Sequence, residues 1–121
     1  MGHIKRWITC VSIDNIDEYA YCGTRSGDVL EVSITKGIYS RSGPIDKKFR
    51  GCVNQVISKF KHLYVGTSEG TFAKIDKKTL NTNGEINVPH SSITGLAASN
   101  SKVYSYSDRS VIRSVSDQSS I

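Results

Sequence analysis

The chain repeats one pattern of residues three times along its 121 positions. Tyr21, Tyr64 and Tyr104 mark equivalent points of the pattern and fall 43 and then 40 residues apart. Each unit begins with a β-branched residue, which is followed three positions later by Val or Leu. A repeat of this length is typical of architectures in which each unit forms one small sheet of four strands. The opening pairs are Ile8 and Val11, Val53 and Val56, and Ile93 and Leu96.

A short turn follows each tyrosine at nearly the same distance. The sequence Gly-Thr-x-x-Gly ends at Gly27 in the first unit and at Gly70 in the second, while the third unit has Ser110 there. Apolar residues lie two and five positions beyond each turn, so they point to opposite faces of one strand. Apolar residues on both faces indicate a sheet packed between two neighbours. The paired apolar residues are Val29 and Val32, Phe72 and Ile75, and Ile112 and Val115.

These patterns predict an all-β fold of about three consecutive four-stranded antiparallel blades of a β-propeller. The alternative, unrelated hairpins in one small β-sandwich, would make the three similar units a coincidence. We assign residues 1–7 to the end of a preceding blade or an added tail, 8–50 to the first blade, 51–90 to the second and 91–121 to an incomplete third. Because about four to eight blades close a propeller, we expect a fragment of a larger propeller that self-associates through exposed blade edges.

Composition argues against several classes of protein. The chain has 16 Lys and Arg against 11 Asp and Glu, a net charge of +5 and a pI near 9.2. No stretch approaches the ~20 apolar residues of a membrane helix, and no signal peptide is evident, so we expect a cytoplasmic protein without a membrane partner. Three cysteines without C-x-x-C spacing predict reduced thiols, and we predict no cofactor and no metal site.

The Gly-Thr-x-x-Gly turns resemble those of WD40 repeats, and His90 stands near the histidine that precedes the first strand of such repeats. The aspartate expected in the turn and the tryptophan of the Trp-Asp pair are both replaced, so these repeats are degenerate. The turn position holds Ser26, Glu69 and Arg109, and the tryptophan position holds Val32, Ile75 and Val115.

A closer resemblance is carried by the run from Tyr21 to Leu30, which reads YCGTRSGDVL, and by the connector that begins at Gly43-Pro44. Both resemble the cilia- and flagella-associated WD-repeat family, the WD-repeat protein 16 type. The resemblance implies a non-enzymatic scaffold for protein interactions in the axoneme of a cilium or flagellum, with tubulin or other axonemal components as partners. In WD40 repeats, the loop before the first strand and the second hairpin turn lie on one rim, which predicts a protein-interaction surface there. Its residues would be Trp7, Arg25, Glu69, His90 and Arg109.

The same sequence bears on two other functions. A hydrolase is not expected, because His90 is the one plausible base and no Gly-x-Ser-x-Gly motif accompanies it. The lysine clusters around 47–50, 59–62 and 74–78 permit a basic β module that binds nucleic acid or another polyanion. This remains the alternative function, although no recognised nucleic-acid motif accompanies the charge.

Overall fold

A computed structural model describes residues 7–87, 91–107 and 112–116 of the chain. These residues form 11 strands in three antiparallel sheets and contain no helix, which confirms the predicted all-β fold. No segment of the described residues is therefore a helix long and apolar enough to cross a membrane. Each sheet is one blade, and its strands follow one another in chain order.

The first two blades have four strands each, and three strands are described for the third blade. The strands of the first blade are β1 (Ile8–Ile13), β2 (Tyr19–Thr24), β3 (Val29–Ser33) and β4 (Ile38–Gly43). Those of the second are β5 (Val53–Lys59), β6 (His62–Thr67), β7 (Thr71–Asp76) and β8 (Thr82–Asn87). Those of the third are β9 (Ile93–Ala98), β10 (Lys102–Ser107) and β11 (Ile112–Ser116).

The glycines of the repeated turn have the backbone conformation that this turn requires. Gly27 and Gly70 both have a φ of 90°, a value that residues with a Cβ rarely adopt. The preceding threonine organises the same turn: Thr24 Oγ1 accepts a hydrogen bond from the Ser26 amide at 3.1 Å, and Thr67 Oγ1 accepts one from the Thr71 amide at 3.0 Å. The repeated Gly-Thr-x-x-Gly sequence is thus the sequence of a hairpin turn.

The blades stack face to face, with one apolar cluster between the first and second and another between the second and third. The first cluster joins Tyr21 and Val29 of the first blade to Val53, Leu63 and Ile75 of the second. The second joins Tyr64 and Phe72 of the second blade to Val103 of the third. The middle blade therefore buries both faces, as its sequence predicts, and the core of the molecule lies along the stack rather than inside any one sheet.

A glycine in the second strand of a blade gives the next blade room to approach. A Cβ on Gly23 would lie 2.6 Å from Val53 Cγ1, and a Cβ on Gly66 would lie 2.3 Å from Ile93 Cγ2. Both distances are too short for carbon atoms, so any larger residue would push the neighbouring blade away. Val53 and Ile93 are the β-branched residues that open the second and third units, and both side chains are buried.

A β-bulge completes this junction. The pairing of the first two strands shifts by one residue between Ile8 and Cys10 in the first blade and between Val53 and Gln55 in the second. The extra residue sends its side chain to the next blade: the Thr9 hydroxyl donates to the carbonyl of Val53, and the Asn54 amide donates to the carbonyl of Ile93 at 2.8 Å. We call the glycine and the bulge residue of one blade its stacking slot: Gly23 with Thr9, and Gly66 with Asn54.

Candidate interaction rim

Three of the predicted interaction residues, Trp7, Arg25 and Glu69, lie at one end of the stacked blades. The backbone amide of Arg25, in the first hairpin turn, donates to the carbonyl of Trp7 at 3.0 Å. The same bond recurs one blade later, from the amide of Ser68 to the carbonyl of Cys52 at 2.9 Å. We call this end the Trp7 rim. It comprises Trp7, the turns at 25–28 and 68–70, and the connector 44–52 between the first and second blades.

The connector packs closely against the first turn. A Cβ on Gly27 would lie 2.3 Å from the carbonyl oxygen of Phe49 and 3.0 Å from that of Gly51. Phe49 is itself buried, at 5% exposure, within the cluster between the first two blades. The backbone of the connector therefore packs against the turn that carries Arg25, while the Arg25 side chain itself is exposed to water.

Trp7 and Arg25 form a pair on this surface. The guanidinium carbon of Arg25 lies 4.8 Å from the centre of the indole ring of Trp7, within the range of a cation–π interaction. Trp7 is 66% exposed, so the ring has one face against the arginine and much of its surface in water. Two of the five predicted residues are thus brought together, and both types are common energetic centres of protein interfaces.

Glu69 lies on the same rim but in the second turn. It is exposed and borders an open cleft of about 430 Å³ together with the basic connector residues Lys47, Lys48 and Arg50. Its side chain approaches Gly51, where an added Cβ would lie 2.9 Å from Glu69 Cγ. The remaining predicted residues, His90 and Arg109, lie outside the described residues.

One ion pair and two hydrogen bonds attach the connector to the outer strand of the second blade. Lys47 contacts Glu85 of β8, and hydrogen bonding from that lysine holds the pKa of Glu85 below its ordinary value. Asp46 accepts hydrogen bonds from the hydroxyl and from the amide of Thr82, which together lower the pKa of the Asp46 carboxyl. The connector is therefore a fixed part of the rim rather than a loose loop.

A second cleft, which the sequence patterns do not predict, opens between the first two blades at the opposite end. It measures about 770 Å³, and its walls include Tyr21, Glu31, Arg41 and Lys77. The Tyr21 hydroxyl donates to Glu31 at 3.0 Å, and Arg41 donates two further hydrogen bonds to the same carboxylate at 3.0 and 2.9 Å. Glu31 and Arg41 lie opposite each other on β3 and β4. The sequence feature that could have indicated this cluster is a charged residue, Glu31, at a position of β3 whose side chain is buried.

Arg41 also bridges the two blades. It donates to the carbonyl of Lys78 at 2.8 Å and to that of Lys77 at 2.7 Å, both in the turn after β7. Burial lowers the pKa of Lys77, whose ammonium lies 5.7 Å from the centre of the Tyr21 ring. Glu31 and Arg41 therefore form a clamp between the first two blades in the wall of this cleft, whereas the Trp7 rim presents side chains to water.

The described residues contain no group of three or more His, Cys, Asp or Glu placed to hold a metal ion. The three cysteines are free and partly buried, and burial raises the pKa of the Cys10 and Cys22 thiols.

Comparison with solved structures establishes the fold. The WD40 repeats of RRP9 superpose with a TM-score of 0.83 at 16% identity, over 97% of this chain and 37% of that one. The computationally designed Ika4 protein superposes with a TM-score of 0.80 at 21% identity, over 95% of this chain and 68% of that one. The chain therefore has the fold of consecutive WD40-type propeller blades.

Comparison by sequence finds two partial relatives, and no protein-family model matches the chain. Cilia- and flagella-associated protein 52 of Chlamydomonas reinhardtii is 43% identical over 44 residues, which is 36% of this chain and 7% of that protein. The Bos taurus protein of the same name is 31% identical over 70 residues, 57% of this chain and 11% of that protein. The matches thus span about a tenth of the length of these curated relatives.

Proposed function

We propose that the chain is a non-enzymatic protein-interaction scaffold of an axonemal protein and that it holds its partner on the Trp7 rim. The observation that carries the proposal is the exposed Trp7–Arg25 pair, whose backbones are joined by a hydrogen bond at the end of the stacked blades. An aromatic ring and a guanidinium that are already in contact lose little conformational freedom when a partner covers them. Such preorganised pairs are effective anchors of protein interfaces.

The charge of the rim specifies what kind of partner fits. Arg25, Lys47, Lys48 and Arg50 stand on or beside it, with Glu69 as an acidic residue among them. Lys47 is already paired with Glu85, so the other three cations are the ones that most readily meet an acidic protein surface. The acidic surface of a microtubule has this chemistry, and the partial likeness to cilia- and flagella-associated proteins supports the same partner.

Cosedimentation of the purified chain with polymerised microtubules tests this function. We expect saturable binding that weakens at least tenfold in Arg25→Glu, about 1.4 kcal/mol, because this change both reverses a charge and removes the cation from the indole. Trp7→Ala should weaken binding to a similar degree. Lys36→Glu is the matched control, since Lys36 is an exposed cation in the turn between β3 and β4 at the opposite end.

The control also separates a defined interface from general attraction of a basic chain to a polyanion. If Lys36→Glu and Arg25→Glu weakened binding equally, and Trp7→Ala had no effect, net charge rather than the Trp7 rim would carry the interaction. Binding that is absent at low salt for the unaltered chain would contradict the microtubule partner outright, because electrostatic attraction is strongest there.

A further inference from the structure

The stacking slot of the third blade differs from the other two. Tyr106 occupies the position of Gly23 and Gly66, as the strand pairing shows. The same bulge is present, at the shift between Tyr106 and Ser107, so the positions correspond in space as well as in sequence. In the first two blades the glycine of this pair is on the second strand and the larger residue on the first. In the third blade the glycine is on the first strand and the larger residue on the second. The paired residues are Cys10 with Gly23, Gln55 with Gly66, and Gly95 with Tyr106.

The ring of Tyr106 lies over Gly95 of its own sheet. A Cβ on Gly95 would lie 2.4 Å from Tyr106 Cζ and 2.5 Å from its hydroxyl oxygen, so Gly95 is required for this position of the ring. The side chain of the bulge residue bonds within its own blade: the Thr94 hydroxyl donates to the carbonyl of Tyr106 at 3.3 Å. In the first two blades the equivalent side chains, those of Thr9 and Asn54, donate to the next blade instead.

A β-branched residue cannot enter this slot as it enters the other two. Val53 and Ile93 lie where a Cβ on the glycine of the preceding blade would be, and Tyr106 has both a Cβ and a ring. Tyr106 is 49% exposed and Tyr104, on the same face of β10, is 36% exposed, so the described residues leave this face largely uncovered. A blade that docks here needs a small residue, Gly or Ala, at the position equivalent to Val53.

We propose that the Tyr104–Tyr106 face of the third blade is a selective docking face. It accepts a propeller blade whose first strand carries Gly or Ala at the docking position, and it rejects one that carries a β-branched residue. The occupant is another blade because this face continues the stacking geometry of two interfaces within the chain. The residue equivalent to Val53 in the first blade is Ile8, which is β-branched and 51% exposed. The proposal therefore excludes head-to-tail stacking of a second copy of this chain and differs in this from the self-association that the blade pattern of the sequence predicts.

The full chain can serve as its own probe, because substitution at residue 8 changes the docking residue and substitution at residues 95 and 106 changes the slot. Sedimentation equilibrium over a range of concentrations would compare the unaltered chain, Ile8→Ala, the double variant Gly95→Gln with Tyr106→Gly, and the combination of all three changes. Two copies stacked head to tail bring six blades together, within the about four to eight that close a propeller. Stacking therefore appears as an average mass that rises with concentration to twice that of the chain, or beyond it where the ring stays open.

The proposal predicts that Ile8→Ala changes the association constant in opposite directions, depending on whether Tyr106 is present. With Tyr106 present, Ile8→Ala should raise the association constant at least tenfold, because alanine fits beneath the ring. With the glycine slot restored, the same Ile8→Ala change should lower association, because the isoleucine then fills the slot and alanine leaves a cavity. Tyr106→Phe is the matched control and should behave as the unaltered chain, since the ring rather than the hydroxyl blocks the slot.

Each other outcome would overturn the proposal. It fails if the unaltered chain itself forms head-to-tail assemblies that Ile8→Ala weakens, or if Ile8→Ala acts in the same direction on both slots. It also fails if Ile8→Ala leaves the average mass unchanged while Tyr106 is present. Far-ultraviolet circular dichroism of every variant checks that it is folded, and Tyr106→Ala with Gly95 retained replaces the double variant if that chain does not fold.

Discussion

The middle blade and the first blade are built from the same repeat but are buried to very different degrees. In β7, four consecutive residues from Phe72 to Ile75 are buried, whereas burial in β3 alternates from one residue to the next. Val11 is 60% exposed, while its equivalent Val56 is 4% exposed. The repeat therefore specifies where an apolar side chain points, and the presence of a neighbouring blade decides whether it contributes to the core.

The two blades also differ in how they use the centre of their third strand. Tyr21 pairs with Glu31 across β2 and β3, and Tyr64 pairs in the same register with Lys74 across β6 and β7. Glu31 and Lys74 are both buried, at 3% and 4% exposure, yet they carry opposite charges. The repeat therefore places a buried charged residue opposite the tyrosine in both blades, and the sign of that charge differs between them.

The largest expected difference concerns the repeat tyrosines. Tyr64 is fully buried between the second and third blades, and Tyr104, its equivalent in the third blade, is 36% exposed. Tyr64→Ala should lower the free energy of unfolding by about 3–5 kcal/mol, and Tyr104→Ala by about 1 kcal/mol. Urea unfolding followed by circular dichroism measures both. Equal losses would mean that the outward face of the third blade is as covered as the middle of the stack.

A smaller difference in stability is expected between Val56 and Val11, which are the same residue type at equivalent positions of two blades. Val56→Ala removes two buried carbon atoms and should cost about 2 kcal/mol of unfolding free energy, with a contribution from the cavity. Val11→Ala should change it by less than about 0.5 kcal/mol, because the side chain is mostly in water. A substantial loss in Val11→Ala would show that something covers the outer face of the first blade in solution.

The stacking slot between the first and second blades offers a third comparison. Gly23→Ala places a Cβ against Val53 Cγ1 and Cys10 Sγ, and we expect overpacking to cost about 1–3 kcal/mol. Val53→Ala should cost about 2 kcal/mol on its own through lost burial. The loss of unfolding free energy in the double variant should be smaller than the sum of the two single losses, because the smaller side chain at residue 53 gives room to the new Cβ at residue 23. Strictly additive costs would contradict direct contact at this slot.

The smallest effect is a dependence on pH. Burial alone would raise the pKa of Glu31, but hydrogen bonds from Arg41, Tyr21 and Ser40 outweigh it and hold that pKa below its ordinary value. The ionised carboxylate therefore stabilises the fold above the unfolded pKa, about 4.3, and this contribution is lost as the pH falls through the lower folded value.

Glu31→Gln should remove this part of the pH dependence and leave a flatter profile of unfolding free energy below about pH 5. Glu18→Gln is a suitable control, because Glu18 is an exposed residue in the β1–β2 turn. A profile for Glu31→Gln as steep as that of the unaltered chain would show that other carboxyl groups dominate acid unfolding.

The sequence predicts the fold because its signals are local and are repeated. The β-branched opening residues, the tyrosines and the Gly-Thr-x-x-Gly turns each define a strand or a hairpin without reference to distant residues. The reason for the first glycine of that motif was not visible in the sequence. Gly23 and Gly66 are needed because a residue about 30 positions later approaches from the next blade, a contact that only the stacked structure reveals.

The candidate site was predictable only in part, for the same reason. The resemblance to WD40 repeats predicts that Trp7 and Arg25 lie on one rim. It does not predict their ring contact, which accompanies a hydrogen bond from the Arg25 amide to the Trp7 carbonyl. The clamp of Glu31 and Arg41 was missed because it joins two strands of one blade to a turn of the next. Such contacts depend on how the blades stack and leave no fixed spacing in the sequence.

The most direct test of this account is native-state hydrogen exchange resolved to individual strands. The account predicts that the amides of β6 and β7 exchange most slowly, because these strands are central in their sheet and covered on both faces. The amides of β1, whose side chains are largely exposed at the outer face, should exchange much faster. Protection of β1 equal to that of β6 and β7 would contradict a stack in which the second blade lies between the other two.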